Sequence, residues 1–169
     1  MNFNLFYENS LFVIIATSFF AVVGWSWRKT KPYTLPQPLP SWFGVWFITV
    51  QIGGIGLPLL GLLGGIWKGY LEVVTILVSY FLILVLQILT ESLSLRWFRS
   101  TVFVMVPYIY LPYRLWQLTE GLMLLNPIDE SIWVRSLLLG EIVLWTANYA
   151  LDLSQLPRLF QWSLPTSNS

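Results

Sequence analysis

The stretch Leu71–Ser100, LEVVTILVSYFLILVLQILTESLSLRWFRS, constrains the chain more than any other. From Val73 to Leu89 it is almost wholly apolar and long enough to cross a hydrocarbon layer of roughly 30 Å. It nevertheless carries Tyr80, Gln87, Glu91 and Ser94, which share one narrow stripe at helical spacing. A helix in lipid has to turn such a stripe toward other helices or an enclosed space, because no water is at hand to satisfy it. The sequence therefore calls for a bundle with a polar interior.

The rest of the chain agrees. Of 169 residues, 56% are hydrophobic and only 10% charged, and the mean hydropathy is positive, far from soluble averages. The expected architecture is an all-α integral membrane protein: a multi-pass, five-transmembrane-helix bundle forming a single domain over residues 1–169. Helices are expected at about 9–27, 42–67, 71–95, 101–118 and 131–153, with a Pro-rich loop at 31–41. The loop holds Pro32, Pro36, Pro38 and Pro40, a spacing no helix tolerates. Arg28, Lys29 and Lys31 follow the first apolar run rather than precede it, the reverse of a cleavable signal. Gly61 and Gly65 form a GxxxG in the second helix, a device for close approach that serves a homodimer or packing within the chain. Lys68-Gly69-Tyr70 reads as a tight turn. Pro107 and Pro112 should kink the fourth helix, and Thr119–Glu130 reads as a loop with Asn126-Pro127 as its turn signal. The tail from Gln155 reads as frayed.

Basic residues set the orientation. With the first loop inside, Arg28, Lys29, Lys31, Arg96, Arg99 and Arg158 lie inside, and Lys68, Arg114 and Arg135 outside. The N-terminus is then expected outside and the C-terminus inside.

Composition also excludes chemistry. With no Cys and no His, disulfides, thiolate metal sites, the commonest general base and the usual haem ligand are all missing. No metal site and no catalytic residue is expected. The net charge of +1 and the lack of a long basic run give no sign of nucleic acid as a partner. Acid–base work would fall to Glu91, Glu141, Asp129 or Glu130. Pro127-Ile128-Asp129-Glu130 resembles the Pro-x-Glu-Glu/Asp of small membrane carotenoid cyclases, but four residues in a turn match by chance, and an acidic helix start accounts for them.

Polar residues inside the helices are the better guide. Glu91 and Glu141 sit at bilayer depth, where a carboxylate costs about 2.5–3.5 kcal/mol on insertion scales; Glu72, Arg135 and Asp152 are near enough to helix ends to snorkel. The last helix carries Glu141, Trp145, Asn148 and Asp152 at offsets of four, seven and eleven, all on one face. Helices three and five thus each offer a carboxylate and an amide. These make either an interhelical hydrogen-bond seam or a site between the helices. Ten Trp supply interfacial belts or ring surfaces for a flat ligand.

Three segments carry a resemblance. Pro38-Leu39-Pro40-Ser41-Trp42 followed by Trp46 is similar to the loop-to-second-helix signature of the TspO/MBR family (translocator protein, or tryptophan-rich sensory protein). Gln87-Ile88-Leu89-Thr90-Glu91 with Phe98 resembles that family's Gln-x-x-x-Asn run and following aromatics, and Ala147-Asn148-Tyr149 resembles its Leu-Asn-Tyr. The departures are Glu91 in place of Asn, Ser92 and Ser94 in place of Trp, Leu95-Arg96 in place of a small residue and Pro, and Ser136-Leu137-Leu138 in place of a Pro-Tyr-Leu opening. The resemblance implies a divergent member and a membrane-embedded binding protein for a flat hydrophobic small molecule, a porphyrin or another tetrapyrrole, in transport, sensing or regulation. Trp42, Trp46 and Trp145 would supply ring surfaces, and Gln87, Glu91 and Asn148 would orient the polar edge. The competing expectation is a non-catalytic accessory or assembly subunit of a larger membrane complex, which needs packing faces and no site.

Overall fold

The computed structural model describes residues 3–27, 41–97, 102–125 and 132–160, and every element among them is helical. There are five rods: α1 (Phe3–Ser26), α2 (Phe43–Lys68), α3 (Leu71–Trp97), α4 (Val102–Leu124) and α5 (Ile132–Phe160). The Pro-rich loop apart from Ser41, the Asn126–Glu130 turn, Phe98 and the tail beyond Phe160 lie outside the described residues.

Three segments, Phe6–Ser26, Phe43–Lys68 and Leu71–Trp97, are long and apolar enough to cross a membrane. At 27 residues α3 is about 40 Å long, more than the hydrocarbon needs. The other two rods are comparably long, 23 and 29 residues, but carry Arg114 and Glu120 in one and Arg135, Glu141 and Asp152 in the other. The exterior suits lipid. Trp67 is 88% exposed, Trp97 72% and Val45 71%, whereas Asn9, Gln87, Arg114, Gln117 and Glu141 are buried. That pattern inverts the arrangement of a protein in water.

Several helix ends differ from the sequence reading. The first helix begins at Phe3 rather than about 9. The fourth runs unbroken through Pro107, Pro112 and the expected Thr119 loop start to Leu124. The fifth continues through Pro157 to Phe160, so Gln155–Phe160 is helix and not a frayed tail. Beyond the expected stop of the fourth helix, Leu122 and Leu124 pack against the main core, which favours its continuation. The α2–α3 turn is as expected. Gly69 takes a left-handed φ of 72°, its N–H bonds to the Ile66 carbonyl at 3.1 Å, and the Tyr70 N–H bonds to Gly65 at 2.9 Å. This is a Schellman cap, which needs a residue without a Cβ penalty at that point.

Helices α2, α3, α4 and α5 pack in a closed cycle, each on the next, and α1 lies outside along α3 and α4. Leu77 and Tyr80 of α3, Leu111 and Leu118 of α4, and Leu138 and Trp145 of α5 form the main core. A second cluster seats α1 through Ala16 and Phe20 against Ile83, Val106 and Tyr110. Gly61 and Gly65 are buried within the chain. A Cβ on Gly61 would lie 2.6 Å from a Leu137 methyl, and one on Gly65 would lie 3.0 Å from Val73. The GxxxG therefore serves the α2 contacts with α3 and α5, and a homodimer on α2 would have to use its exposed apolar side, Val45, Ile48 and Ile52.

α2 is not a uniform α-helix. Ile52–Gly56 forms one π-helical turn, where the ordinary hydrogen-bond ladder is interrupted. Gly53 and Gly54 sit in it, and Gly54 faces the bundle axis.

Candidate functional site

Two polar stripes converge on that axis, and one residue of α4 joins them. α3 contributes Tyr80, Gln87 and Glu91; α5 contributes Glu141, Trp145, Asn148 and Asp152. α4 contributes Arg114, whose neighbours at offsets of four and three, Tyr110 and Gln117, turn toward α1. Near the π turn, Tyr80 Oη donates to the Gly54 carbonyl oxygen. The Trp145 indole N–H is shared between Tyr80 Oη and Glu141 Oε2, each at 3.0 Å. Tyr80 has one proton to give, so its 3.3 Å approach to Glu141 Oε2 is the alternative to the Gly54 bond. Trp145 reaches this position only because residue 54 is glycine: a Cβ there would lie 2.5 Å from Trp145 Cζ2.

Arg114 is the main feature the sequence reading misplaced. Counted there among the outside basic residues, it is 0% exposed at mid-length of α4. The reason is the length of α4: a helix ending at 118 puts Arg114 near a membrane surface, whereas one reaching Leu124 puts it at the centre. Its guanidinium carbon stands 4.1 Å from the Trp145 ring centroid and 5.6 Å from that of Tyr80, a cation–π arrangement. Nη2 donates to Gln87 Oε1 at 2.7 Å, and Gln87 Nε2 in turn donates to Glu91 Oε1 at 2.9 Å. Nε and Nη1 are buried with no hydrogen-bond partner. Glu91 and Glu141 are both within electrostatic reach of the guanidinium.

The network continues toward the end of the bundle where α2 and α4 begin and α3 and α5 finish. Trp46 Nε1 donates to Asn148 Oδ1 at 3.0 Å, Asn148 Nδ2 to Asp152 Oδ2 at 3.3 Å, and Tyr108 Oη to the Asp152 carbonyl at 2.7 Å. Glu91 and Asp152 influence one another electrostatically. Trp46, Glu91, Tyr108, Asn148, Tyr149 and Asp152 are all half-buried. They form a polar and aromatic rim at that end of the bundle, and Gln87, Arg114 and Trp145 are buried beneath it. Asp152 belongs to this rim and is not a snorkelling helix end, because α5 extends past it.

Of the six residues expected from sequence, Gln87 and Glu91 join through their own bond, and Gln87 meets the cation that stacks on Trp145. Asn148 pairs with Trp46 across α2 and α5, not with the α3 amide. Trp42 is exposed near the start of α2. Residues the sequence reading did not assemble here are Arg114, Tyr80, Gly54 and Tyr108. Arg114 had an available signal, the four-and-seven spacing it shares with Tyr110 and Gln117. The π turn had only the Gly53-Gly54 pair.

A separate polar contact ties α1 to α4. Asn9 Oδ1 accepts from Tyr113 Oη at 2.8 Å and Gln117 Nε2 at 3.1 Å, and Phe12 stacks on Tyr113 at 3.7 Å. Among the described residues no group of three acidic side chains could hold a metal ion. Comparison of the chain with protein-family models, characterised proteins and solved structures finds no match, so the resemblance to the TspO/MBR family rests on the residues quoted for it.

Proposed function

We propose that this protein is a five-span membrane-embedded binding protein for a flat hydrophobic molecule, received at the aromatic rim with its polar edge toward Arg114. The observation that carries the reading is the pair of donors on Arg114, Nε and Nη1, that no protein atom accepts. An unpaired buried donor costs about 1–3 kcal/mol, and more on a charged group, and a core built only for packing would be more stable with Met or Leu there. Donors kept at that cost suit an acceptor brought by a ligand. Trp46, Tyr108, Tyr149 and the exposed Trp42 offer ring surfaces at one end, and tetrapyrroles are the class the resemblance implies. The orientation with the N-terminus outside places the rim on the inner side. Porphyrin titration of the chain in lipid nanodiscs, read by Trp quenching, tests this; no saturable quenching at micromolar ligand beyond that of empty discs would overturn it.

The second reading, a non-catalytic subunit of a larger complex, is favoured by one observation: Phe43–Gln51 of α2 has no buried residue, and apart from Trp46 and Val50 its side chains are exposed. Migration as a discrete large assembly in mild detergent supports it, and a lone monomer or dimer counts against it.

A further inference from the structure

The carboxamides deep in the helices find partners inside the bundle, with one exception. Asn9, Gln87, Gln117 and Asn148 are each hydrogen-bonded to another side chain. The hydroxyls of Thr49 and Thr75 return to carbonyls of their own helix, as short polar side chains can. Gln51 does neither. It is exposed, and its carboxamide has no hydrogen bond among the described residues. Within the three apolar spans the other exposed amide or charged side chains among the described residues are Lys68, Glu72 and Arg96, each within two residues of a helix end. Gln51 is the ninth residue of α2, about 12 Å from its start. The 26 residues of α2 overhang a hydrocarbon layer of roughly 30 Å by only about 5 Å at each end. With α2 centred in that layer, the carboxamide lies well inside it, too deep for its two-methylene stem to bring it to water.

Lipid tails offer this group neither donor nor acceptor. Another carboxamide offers both. Each carries an NH2 and a carbonyl oxygen, so two copies related by a two-fold axis exchange two identical bonds, and one patch serves both sides. The face around Gln51 suits such a contact. Gly44, seven residues earlier, and Ile48 share its stripe. Gly44 is exposed, with nothing within 4 Å of where a Cβ would stand, and Ile48 is 58% exposed. A small residue beside a polar one is how helices in lipid come close enough to hydrogen-bond. The stripe points away from Trp46 and Val50, by which this half of α2 meets the rest of the bundle. We propose that two copies of this chain pair in the membrane, α2 against α2, across Gly44, Ile48 and Gln51, with the two Gln51 carboxamides bonded to each other. The contact lies on the outer side of α2 and requires only that α2 span the membrane, so it stands or falls apart from ligand binding at Arg114.

The test is pairing of the full chain in phosphatidylcholine liposomes. Copies labelled through Lys68→Cys are reconstituted over a range of protein-to-lipid ratios, and energy transfer between them is measured. Transfer should saturate as for a dimer. Gln51→Leu should raise the protein-to-lipid ratio at half-pairing about tenfold, the scale of two interhelical carboxamide bonds. Gly44→Ile, which holds the backbones apart, should weaken pairing as well, and Gln51→Asn, which keeps an amide, should fall between Gln51→Leu and the unaltered chain. Ellipticity at 222 nm should match in all of them, because both positions face outward. Transfer no greater than random crowding at every ratio, or pairing that Gln51→Leu and Gly44→Ile leave unchanged, overturns the inference. So does a chain that is monomeric in liposomes but leaves a larger assembly of its native membrane on Gln51→Leu, which assigns the stripe to a different protein.

Discussion

Gly54→Ala is the sharpest test of the packing at the π turn. Its new methyl would sit 2.5 Å from Trp145 Cζ2 and 3.2 Å from Cε2 and Cη2, against a rigid ring and not the loose end of a chain. The indole cannot swing aside freely, because its N–H is held by Tyr80 and Glu141 and Arg114 lies on its face. Overpacking of this kind costs about 1–3 kcal/mol, and weakening the indole bond adds about 1 kcal/mol. Alanine returns roughly 0.5–1 kcal/mol of helix propensity. The net loss is about 2 kcal/mol, which for a chain of this size is roughly 4–8 °C of melting temperature. Gly53→Ala, one residue away, meets only the tip of Leu144 at 2.6 Å. A rotamer adjustment of about 0.5–1.5 kcal/mol is there nearly offset by propensity, so it should melt close to the unaltered chain. Gly140→Ala has nothing within 4 Å and should melt slightly higher. Thermal scans in one detergent, followed by ellipticity at 222 nm and Trp emission, give the order Gly140→Ala, unaltered, Gly53→Ala, Gly54→Ala from most to least stable. If Gly54→Ala melts with or above Gly53→Ala, Trp145 is not seated on the α2 backbone and the polar centre is wrongly drawn.

Further outcomes follow from the same contacts. Tyr80→Phe removes the proton given to Gly54 and one acceptor of Trp145, which should cost about 1–2 kcal/mol as a few degrees of melting temperature; an unchanged melt refutes the bond. Asn148→Leu strips Trp46 of its acceptor, a loss of about 1 kcal/mol in a membrane interior, accompanied by a shift in Trp emission. If the emission does not move, Trp46 is not held there. Because the chain has no cysteine, Lys68→Cys and Arg96→Cys give clean single labels. An impermeant maleimide should reach Lys68→Cys from outside and Arg96→Cys only after permeabilisation; labelling of both from one side rules out antiparallel spans for α2 and α3.

The stripes on α3 and α5 could be read from sequence because polar residues at helical spacing inside an apolar run have few places to go. Tyr80, Gln87 and Ser94 are buried and Glu91 half-buried as that reasoning requires. Arg114 shares that kind of spacing with Tyr110 and Gln117, but its position was hidden because it depends on where α4 ends, and Thr119-Glu120 mimics a helix stop. The pairing of Asn148 with Trp46, and not with Gln87, depends on the rotation of α5 about its own axis against α2, which no local pattern encodes. The need for glycine at 54 is tertiary in origin as well: only with Trp145 in place does that residue have to lack a side chain.

Arg114 also bears on how the chain can be inserted. A lone arginine at the centre of a helix in lipid costs about 2.5–3.5 kcal/mol on insertion scales, and the stack on Trp145 and the bond donated to Gln87 become available only when α3 and α5 are alongside. α4 is not among the three helices apolar enough to cross a membrane, and its buried charge is accommodated between α3 and α5. The same residue strengthens the charge asymmetry. Without it, the outer set of the expected orientation is Lys68 and Arg135 against six basic residues expected inside. The compensation stops short at Nε and Nη1, two buried charged donors without a protein acceptor, a cost that packing alone does not offset.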